Sequence, residues 1–291
     1  MRFFVALVID GVLAGAVYAL IALAFVVVYK ASRMINFALG EWVMFGSRLA
    51  GAGVGLGLAG ALGFAAAAMI AFATAFNRVV LRRLVGRPLI GTIMVTIGLG
   101  ALMRGAAPFL FAGLPGGVAL PIPAEPLVVA DIAVPPSRVL ALLVAAAAIA
   151  AVSAFFRWSR TGVALRALAD DQQVALSVGI DVNRHLAIAW GLVGALAVVG
   201  GTLWTLVAGV GFGVVLLGLK VFPIVVIGGL DSIPGSIVGA VLIGVLESLT
   251  AGYVDPLVGA GFSSVAPYIL LLGVLFVRPY GIFGRGDARR V

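Results

Sequence analysis

The chain has 291 residues, of which 63% are apolar and only 10% charged, with a mean hydropathy of +1.25 and a net charge of +8. A soluble domain carries about 25% charged residues, so this composition excludes a water-soluble fold. Runs of 18 or more apolar residues instead specify an all-α polytopic membrane protein.

Apolar runs fall at 5–29, 34–50, 54–77, 89–111, 138–156, 186–209, 212–230, 236–253 and 263–277. They predict about nine transmembrane segments, with eight to ten the range, some of them broken, in a single domain over 1–291. No run alternates at period two as an outer-membrane barrel would. Cysteine is absent, which removes disulfides and thiolate metal sites. The first run follows Arg2 like a signal peptide but continues to Val28, too long for a cleaved apolar region, and so reads as an uncleaved first span.

The second run is short and holds Asn36, Glu41 and Arg48. Its start, MINFALGEW at 34–42, mixes polar and small residues, which predicts a broken or distorted helix. A charge at mid-bilayer costs roughly 2.5–3.5 kcal/mol on insertion scales. Asn36 and Glu41 therefore read either as lining a pathway or as bracing its wall, with Arg48 or Arg104 as the partner of Glu41.

Basic residues cluster at Lys30 and Arg33; at Arg78, Arg82, Arg83 and Arg87; at Arg157, Arg160, Arg166 and Arg184; and at Arg278, Arg285, Arg289 and Arg290. These are fourteen of the 19 in the chain. They are spread by membrane side rather than gathered as a nucleic-acid patch, and the positive-inside rule places all four groups in the cytoplasm. The proline-rich loop 112–137 has no Lys or Arg and carries Glu125 and Asp131, so it faces outward as a periplasmic loop. This parity makes 34–50 and 212–230 cross, with the N-terminus outside and the C-terminus inside.

Lys220 and Pro223 interrupt the run 212–230, and Gly228–Gly229 with Pro234–Gly235 mark a turn. Broken helices often border a transport site, so Lys220 reads as a pathway wall, or alternatively as the partner of Glu247. Glu247 itself reads as a structural partner. Asp10, Asp255 and Arg138 lie near span ends, where interfacial exposure explains them. Trp42, Trp158, Trp190, Tyr29, Tyr268 and Tyr280 fit an aromatic belt. Gly11, Gly15, Gly51, Gly53, Gly55, Gly57, Gly191, Gly194, Gly235, Gly239 and Gly244 suit close helix packing in lipid.

Residues 158–185 form the one sizeable polar segment. Residues 163–177 predict a short helix with Leu165, Leu168 and Leu176 on one face, Arg166 and Asp170 able to pair, and Gly179 as its stop. An interfacial helix would set only Lys and Arg against anionic lipid. Asp170 and Asp171 contradict that, so a cytoplasmic protein partner is the better match.

SRTGVALRALADDQQVALSVGID at 159–181 resembles the cytoplasmic loop of permeases of high-affinity branched-chain amino acid ABC transporters. Ser159, Arg160, Thr161, Gly162, Arg166, Ala167, Asp170, Asp171, Ala175, Gly179 and Ile180 carry the likeness. MINFALGE near the start and GLK with IGGLDSIPGSIVGAVLIGVLE near the end extend it over most of the chain. The stretch 11–41 is closer to the LivH-type subunit than to its LivM-type partner. Phe222-Pro223 departs from the family pattern of small residues after Gly-Leu-Lys.

The resemblance implies a permease domain in the bacterial inner membrane, with a cytoplasmic coupling loop over 158–185. It implies a LivM-type permease partner, two cytoplasmic ABC ATPases that bind ATP and Mg, and a periplasmic substrate-binding protein. Arg160, Gly162, Arg166, Asp170, Asp171 and Gly179 would be the ATPase-coupling residues. Leucine, isoleucine and valine are the family default, while related permeases carry urea, short amides or aromatic acids.

The chain itself lacks the phosphate-cradling G-x-x-x-x-G-K-[ST] loop, so no cofactor is expected in it. An ion-coupled secondary carrier is the alternative, but few titratable groups lie at mid-span to serve one. An intramembrane enzyme would need more than His185, the only histidine, beside Arg184 with no paired serine nucleophile. Asp170-Asp171 also lacks the third aspartate of a metal-diphosphate motif. No catalytic or metal residues are expected.

Overall fold

The computed structural model describes residues 1–84, 89–123, 125–129, 132–209, 213–259 and 261–284; Arg87, Asp131, Arg285, Arg289 and Arg290 lie outside them. The helices are α1 Arg2–Ser32, α2 Leu39–Ala52, α3 Gly57–Val79, α4 Leu89–Leu110, α5 Pro136–Trp158, α6 Arg160–Asp170, α7 Gln172–Ser177, α8 Val182–Ala208, α9 Gly213–Gly228, α10 Ile233–Tyr253, α11 Asp255–Val258 and α12 Phe262–Val277. The loop between α4 and α5 carries a small antiparallel hairpin, β1 Leu127–Val129 with β2 Ile132–Val134, pairing Leu127 with Val134. Nothing in the proline-rich composition of that loop announced the hairpin.

The chain is an all-α polytopic membrane protein. Among the described residues, six helical stretches are long and apolar enough to cross a bilayer: Arg2–Ser32, Val54–Arg83, Ile90–Leu110, Pro136–Trp158, Val182–Ala208 and Ile233–Tyr253. The remaining apolar runs form α2, α9 and α12, of 14, 16 and 16 residues. At 1.5 Å per residue α2 spans about 21 Å, short of a hydrocarbon core of about 30 Å.

The chain divides into two compact units. The unit formed by Val27–Pro121 and Ala147–Leu219 is built around α2, α3 and α8. Glycines let these backbones touch: a Cβ added at Gly46 would lie 2.6 Å from the Ala197 carbonyl oxygen, and one at Gly194 would lie 2.7 Å from that of Met69. In the space so defined sits an aromatic cluster. The Trp42 and Trp190 rings are 5.5 Å apart, and Phe72 lies 5.3 Å from Trp42. Both tryptophans are fully buried, so they are core residues and not part of an aromatic belt. The run ends misled because α8 begins earlier than its run, which carries Trp190 inward, and because Trp42, at the start of α2, is enclosed by rings from α3 and α8. Trp158 and Tyr280 are exposed, as belt residues would be.

The unit formed by Met1–Val26, Ile122–Ala146 and Lys220–Val291 packs α1 against α10 in the same way. A Cβ at Gly11 would meet the Val245 Cα at 2.5 Å, and one at Gly15 would meet the Val241 Cα at 2.9 Å. Gly55 and Gly57, in contrast, meet nothing and belong to the α2–α3 turn. The expected turn after α9 is present: Ser232 caps α10 by accepting from the Gly235 amide at 3.1 Å. Just past α12, the amides of Ile282 and Phe283 donate to the Ile227 and Gly228 carbonyls, satisfying acceptors at the end of α9. Asp10 pairs with Arg138, so interfacial exposure is not the whole account of either.

Asp255 likewise has a fixed role at the start of α12. It accepts hydrogen bonds from the Ser263 amide and hydroxyl at 2.9 and 2.8 Å. These bonds hold its carboxyl below the usual carboxylate range. A depressed folded pKa stabilises fully above the unfolded value near pH 4 and loses that contribution as pH falls through the folded value. Melting of the purified chain across about pH 3–6 should therefore show an acid decline that Asp255→Asn reduces. A second expectation concerns packing. Gly46→Ala should cost about 1–3 kcal/mol through overpacking and lower the apparent melting temperature in detergent. Gly63→Ala, at a site with nothing within 4 Å, should leave it unchanged.

Candidate functional site

Three features stand out. The first is the break between α1 and α2. Residues 33–38 leave the helical ladder, as the MINFALGEW composition predicts. Arg33 takes a left-handed conformation (φ 55°), a state seen at no other described residue except glycine. Its own amide still closes α1 on the Tyr29 carbonyl at 2.8 Å. Thr96 of α4 stitches the break from the side, its hydroxyl accepting from the Phe37 amide at 3.3 Å and approaching the Ile35 carbonyl at 3.4 Å.

Asn36 is buried, and its Oδ1 accepts from the Ala38 amide at 3.0 Å, while its Nδ2 has no partner. Glu41 follows in the first turn of α2. Its side chain is 4% exposed and accepts from Arg104 Nη2 of α4 at 2.5 Å. Arg104, and not Arg48, is thus the partner. Gly100 one turn away leaves room for the carboxylate, since a Cβ there would meet Glu41 at 3.2 Å.

The second feature is the polar segment. Sequence reading gives one helix over 163–177; the structure has two, α6 and α7, starting earlier at Arg160 and dividing at Asp171. Asp171 is extended (φ −151°, ψ 112°), and its Oδ1 accepts from the amides of Gln173 and Val174 at 2.8 and 3.0 Å. An aspartate preceding a helix is a favoured cap, and here that preference divides what apolar periodicity joined. The apolar face changes with it. Leu165 and Leu168 are buried, but Leu176 is 55% exposed and Ala175 is buried instead.

Arg160, Arg166, Asp170 and Asp171 are all exposed, and no ion pair joins Arg166 to Asp170 among the described residues. Gly162 has a close-packing role: a Cβ there would meet the Phe156 Cα at 2.7 Å, so only glycine seats α6 on the end of α5. Ser159 caps α6 through the Gly162 amide at 2.8 Å, and Asp181 caps α8 through the Arg184 amide at 3.1 Å. Gly179 (φ 84°) is the expected stop, with the Gly179 amide donating to the Leu176 carbonyl at 3.0 Å. The Arg33 guanidinium, through Nε, donates to the Ala169 carbonyl at 3.2 Å, joining the α1–α2 break to the last turn of α6.

The third feature is a part-buried charge cluster in the other unit. Lys220 Nζ lies 3.0 Å from Glu247 Oε1, and the Tyr18 hydroxyl donates to Glu247 Oε2 at 2.7 Å. The ammonium also lies 5.8 Å from the centre of the Tyr18 ring. Pro223 does not break α9, which runs continuously through it to Gly228. The structure therefore groups the four intramembrane candidates as two sets, Asn36 with Glu41 and Lys220 with Glu247.

Arg33, Tyr18 and Thr96 were missed. A tyrosine or threonine in an apolar run carries no local signal of its partner, and no sequence rule flags an arginine with positive φ. Among the described residues no group of three His, Asp or Glu side chains is placed to hold a metal ion.

Residues 7–277 match the family model described as branched-chain amino acid transport system / permease component. The chain is 31% identical to the high-affinity branched-chain amino acid transport system permease protein LivH of Escherichia coli K12, over 99% of this chain and 98% of that one. It is 30% identical to the permease protein BraD of Pseudomonas aeruginosa, over 97% and 96%. A probable LivH of Methanocaldococcus jannaschii is 35% identical over 43% of this chain and 41% of its own. No solved structure matches. A match that covers nearly the whole chain, including the broken α1–α2 junction and the α6–α7 segment, places it in the family of branched-chain amino acid transport system permease components.

Proposed function

We propose that the chain is the LivH-type permease subunit of an ATP-driven importer, carrying branched-chain amino acids across the bacterial inner membrane by alternating access. The observation that carries this reading is the near end-to-end similarity to LivH and BraD, whose names state that transport system. In this reading a LivM-type permease completes the pathway. Two cytoplasmic ATPases bind ATP and Mg and hydrolyse the nucleotide, and a periplasmic protein delivers the solute.

The nine apolar helices, α2, α9 and α12 included, would all cross, with the N-terminus periplasmic and the C-terminus cytoplasmic. The Arg33–Ala169 contact supports that sidedness. It sets the basic end of α1 against the basic α6 segment, as the positive-inside rule requires of two cytoplasmic groups.

The α6–α7 segment suits a partner-docking role. It exposes Val163, Val174, Leu176 and Val178 beside Arg160, Arg166 and Asp170, an apolar centre with a charged rim. Its ends have little slack. Gly162 seats one end on α5, the Asp181 cap fixes the other to α8, and Arg33 ties the middle to the α1–α2 break. Displacement by an ATPase would therefore pass to α8, and from α8 to α2 and α3, which pack on it. Glu41 with Arg104, and Glu247 with Lys220, would hold helix pairs together during that motion, because a buried carboxylate deprived of its cation is costly.

Two expected outcomes test this reading. Asp171 caps α7, so charge reversal is best made at Asp170, which accepts no such bond. Asp170→Lys should leave the chain inserted and weaken co-purification of the ATPases about tenfold or more, as like charge at an interface does; unchanged co-purification would remove the docking assignment. At the other site, Glu41→Ala should lower the melting temperature and the uptake rate together. Arg104→Ala in that background should recover part of both, by about 1–2 kcal/mol given the exposure of Arg104. Recovered stability with uptake still lost would make Glu41 a pathway residue and not a brace.

A further inference from the structure

The first turn of α2 is a set of donors without acceptors. Ala38 precedes the helix and offers no side-chain cap. The Trp42 amide is the first to bond back, to the Ala38 carbonyl at 3.0 Å. The amides of Leu39, Gly40 and Glu41 make no hydrogen bond of good geometry among the described residues; the turn at 37–38 gives them at most a weak approach to the Asn36 carbonyl. All three residues are buried, so bulk water does not satisfy them.

Asn36 sharpens the imbalance. Its carboxamide is held at this turn by the bond from the Ala38 amide to Oδ1, which leaves Nδ2 facing no partner although the residue is 2% exposed. Buried amide groups are rarely left this way, and each carries a desolvation penalty. Every unmet group here is a donor, and the positive end of the α2 dipole adds to them. The nearby carboxylate, Glu41, points instead to Arg104 and is neutralised there.

Residue 40 is glycine, and α9 uses the absent side chain to approach: a Cβ on Gly40 would meet the Val215 carbonyl oxygen at 2.5 Å and the Gly218 Cα at 3.1 Å. The donor cluster therefore lies at a contact of two short helices, of 14 and 16 residues.

We infer that Asn36 Nδ2 and the uncapped amides at the start of α2 form a carboxylate-binding site, which holds the carboxylate of the amino acid during its passage. A helix N-terminus offers dipole and free amides together to an anion, and broken helices present such ends to anionic solutes. The described state is the closed one, with donors buried and waiting. Movement of α6, tied through Arg33 to the break that carries Asn36, would open and close it. The inference rests on the amino-acid importer reading above and adds to it the group recognised and the atoms that recognise it.

The test is Asn36→Asp in the complete importer, with its partner permease, ATPases and binding protein, reconstituted in liposomes. Aspartate keeps the acceptor for the Ala38 amide and caps a helix as well as asparagine does. It removes the amide donor and sets its own carboxylate against the free amides. Leucine uptake should fall about tenfold or more, the scale of a lost charge-assisted hydrogen bond, while the melting temperature holds.

Asn36→Ser, neutral and still able to cap, should show a smaller loss of uptake with the same unchanged melting temperature. Wild-type uptake by the Asp variant would overturn the site, because a carboxylate set against the free amides would exclude that of the substrate, whereas a simple cap would tolerate the change. A fall in melting temperature in step with uptake for both variants would overturn it in favour of a structural asparagine. Failure of the wild-type importer to accumulate leucine, isoleucine or valine would overturn the functional reading itself, and the site with it.

Discussion

Hydrogen bonding without water governs this molecule. A backbone amide or carbonyl that leaves a helix in a bilayer must find another partner within the protein. The break at 33–38 therefore required Thr96, the Asn36 carboxamide and the Arg33 guanidinium around it. The same demand explains the turn after α9, where amides from just beyond α12 take up the exposed carbonyls. Where partners stop short, as at the start of α2, buried donors remain unmet.

Charge obeys the same rule. Glu41 is buried and Glu247 part-buried, and each is met by a cation and set close to a helix–helix contact. The two clusters differ in exposure: the Arg104 side chain is 56% exposed, whereas that of Lys220, beside Tyr18, is 25% exposed. Removal of either carboxylate would leave a cation with no counter-charge in apolar surroundings, which is the costly direction. Neutral helix packing, by contrast, is governed by glycine, and Gly46, Gly194, Gly11 and Gly15 each admit a backbone that no other residue would.

Much of this was legible in the sequence, and the parts that were not share a cause. Apolar runs located every long helix, and Gly179, Gly228 and Pro234 marked the turns where they occur, because turns are decided within a few residues. The weak helical signal of MINF likewise marked a real break. The polar segment was misjudged at Asp171: a cap and an interior residue look alike until the chain direction changes, and Leu176 followed it onto the wrong face. Trp42 and Trp190 were misjudged because membrane depth was inferred from distance along the chain, whereas α8 begins earlier, at its Asp181 cap, and Trp42 is enclosed by rings from α3 and α8 at the start of α2. Arg33 and the 127–134 hairpin depend on contacts across the fold, which no local pattern encodes.

The two enclosed tryptophans have a practical consequence. The chain has four, at 42, 158, 190 and 204, and the first and third face each other where α2 meets α8 with no exposure to solvent or lipid. Their indole emission is thus shielded from water-soluble quenchers, unlike that of Trp158 at the surface. Any cycle that slides α8 along α2 must disturb that pair of rings, so the native chain carries a label-free optical gauge of its own motion.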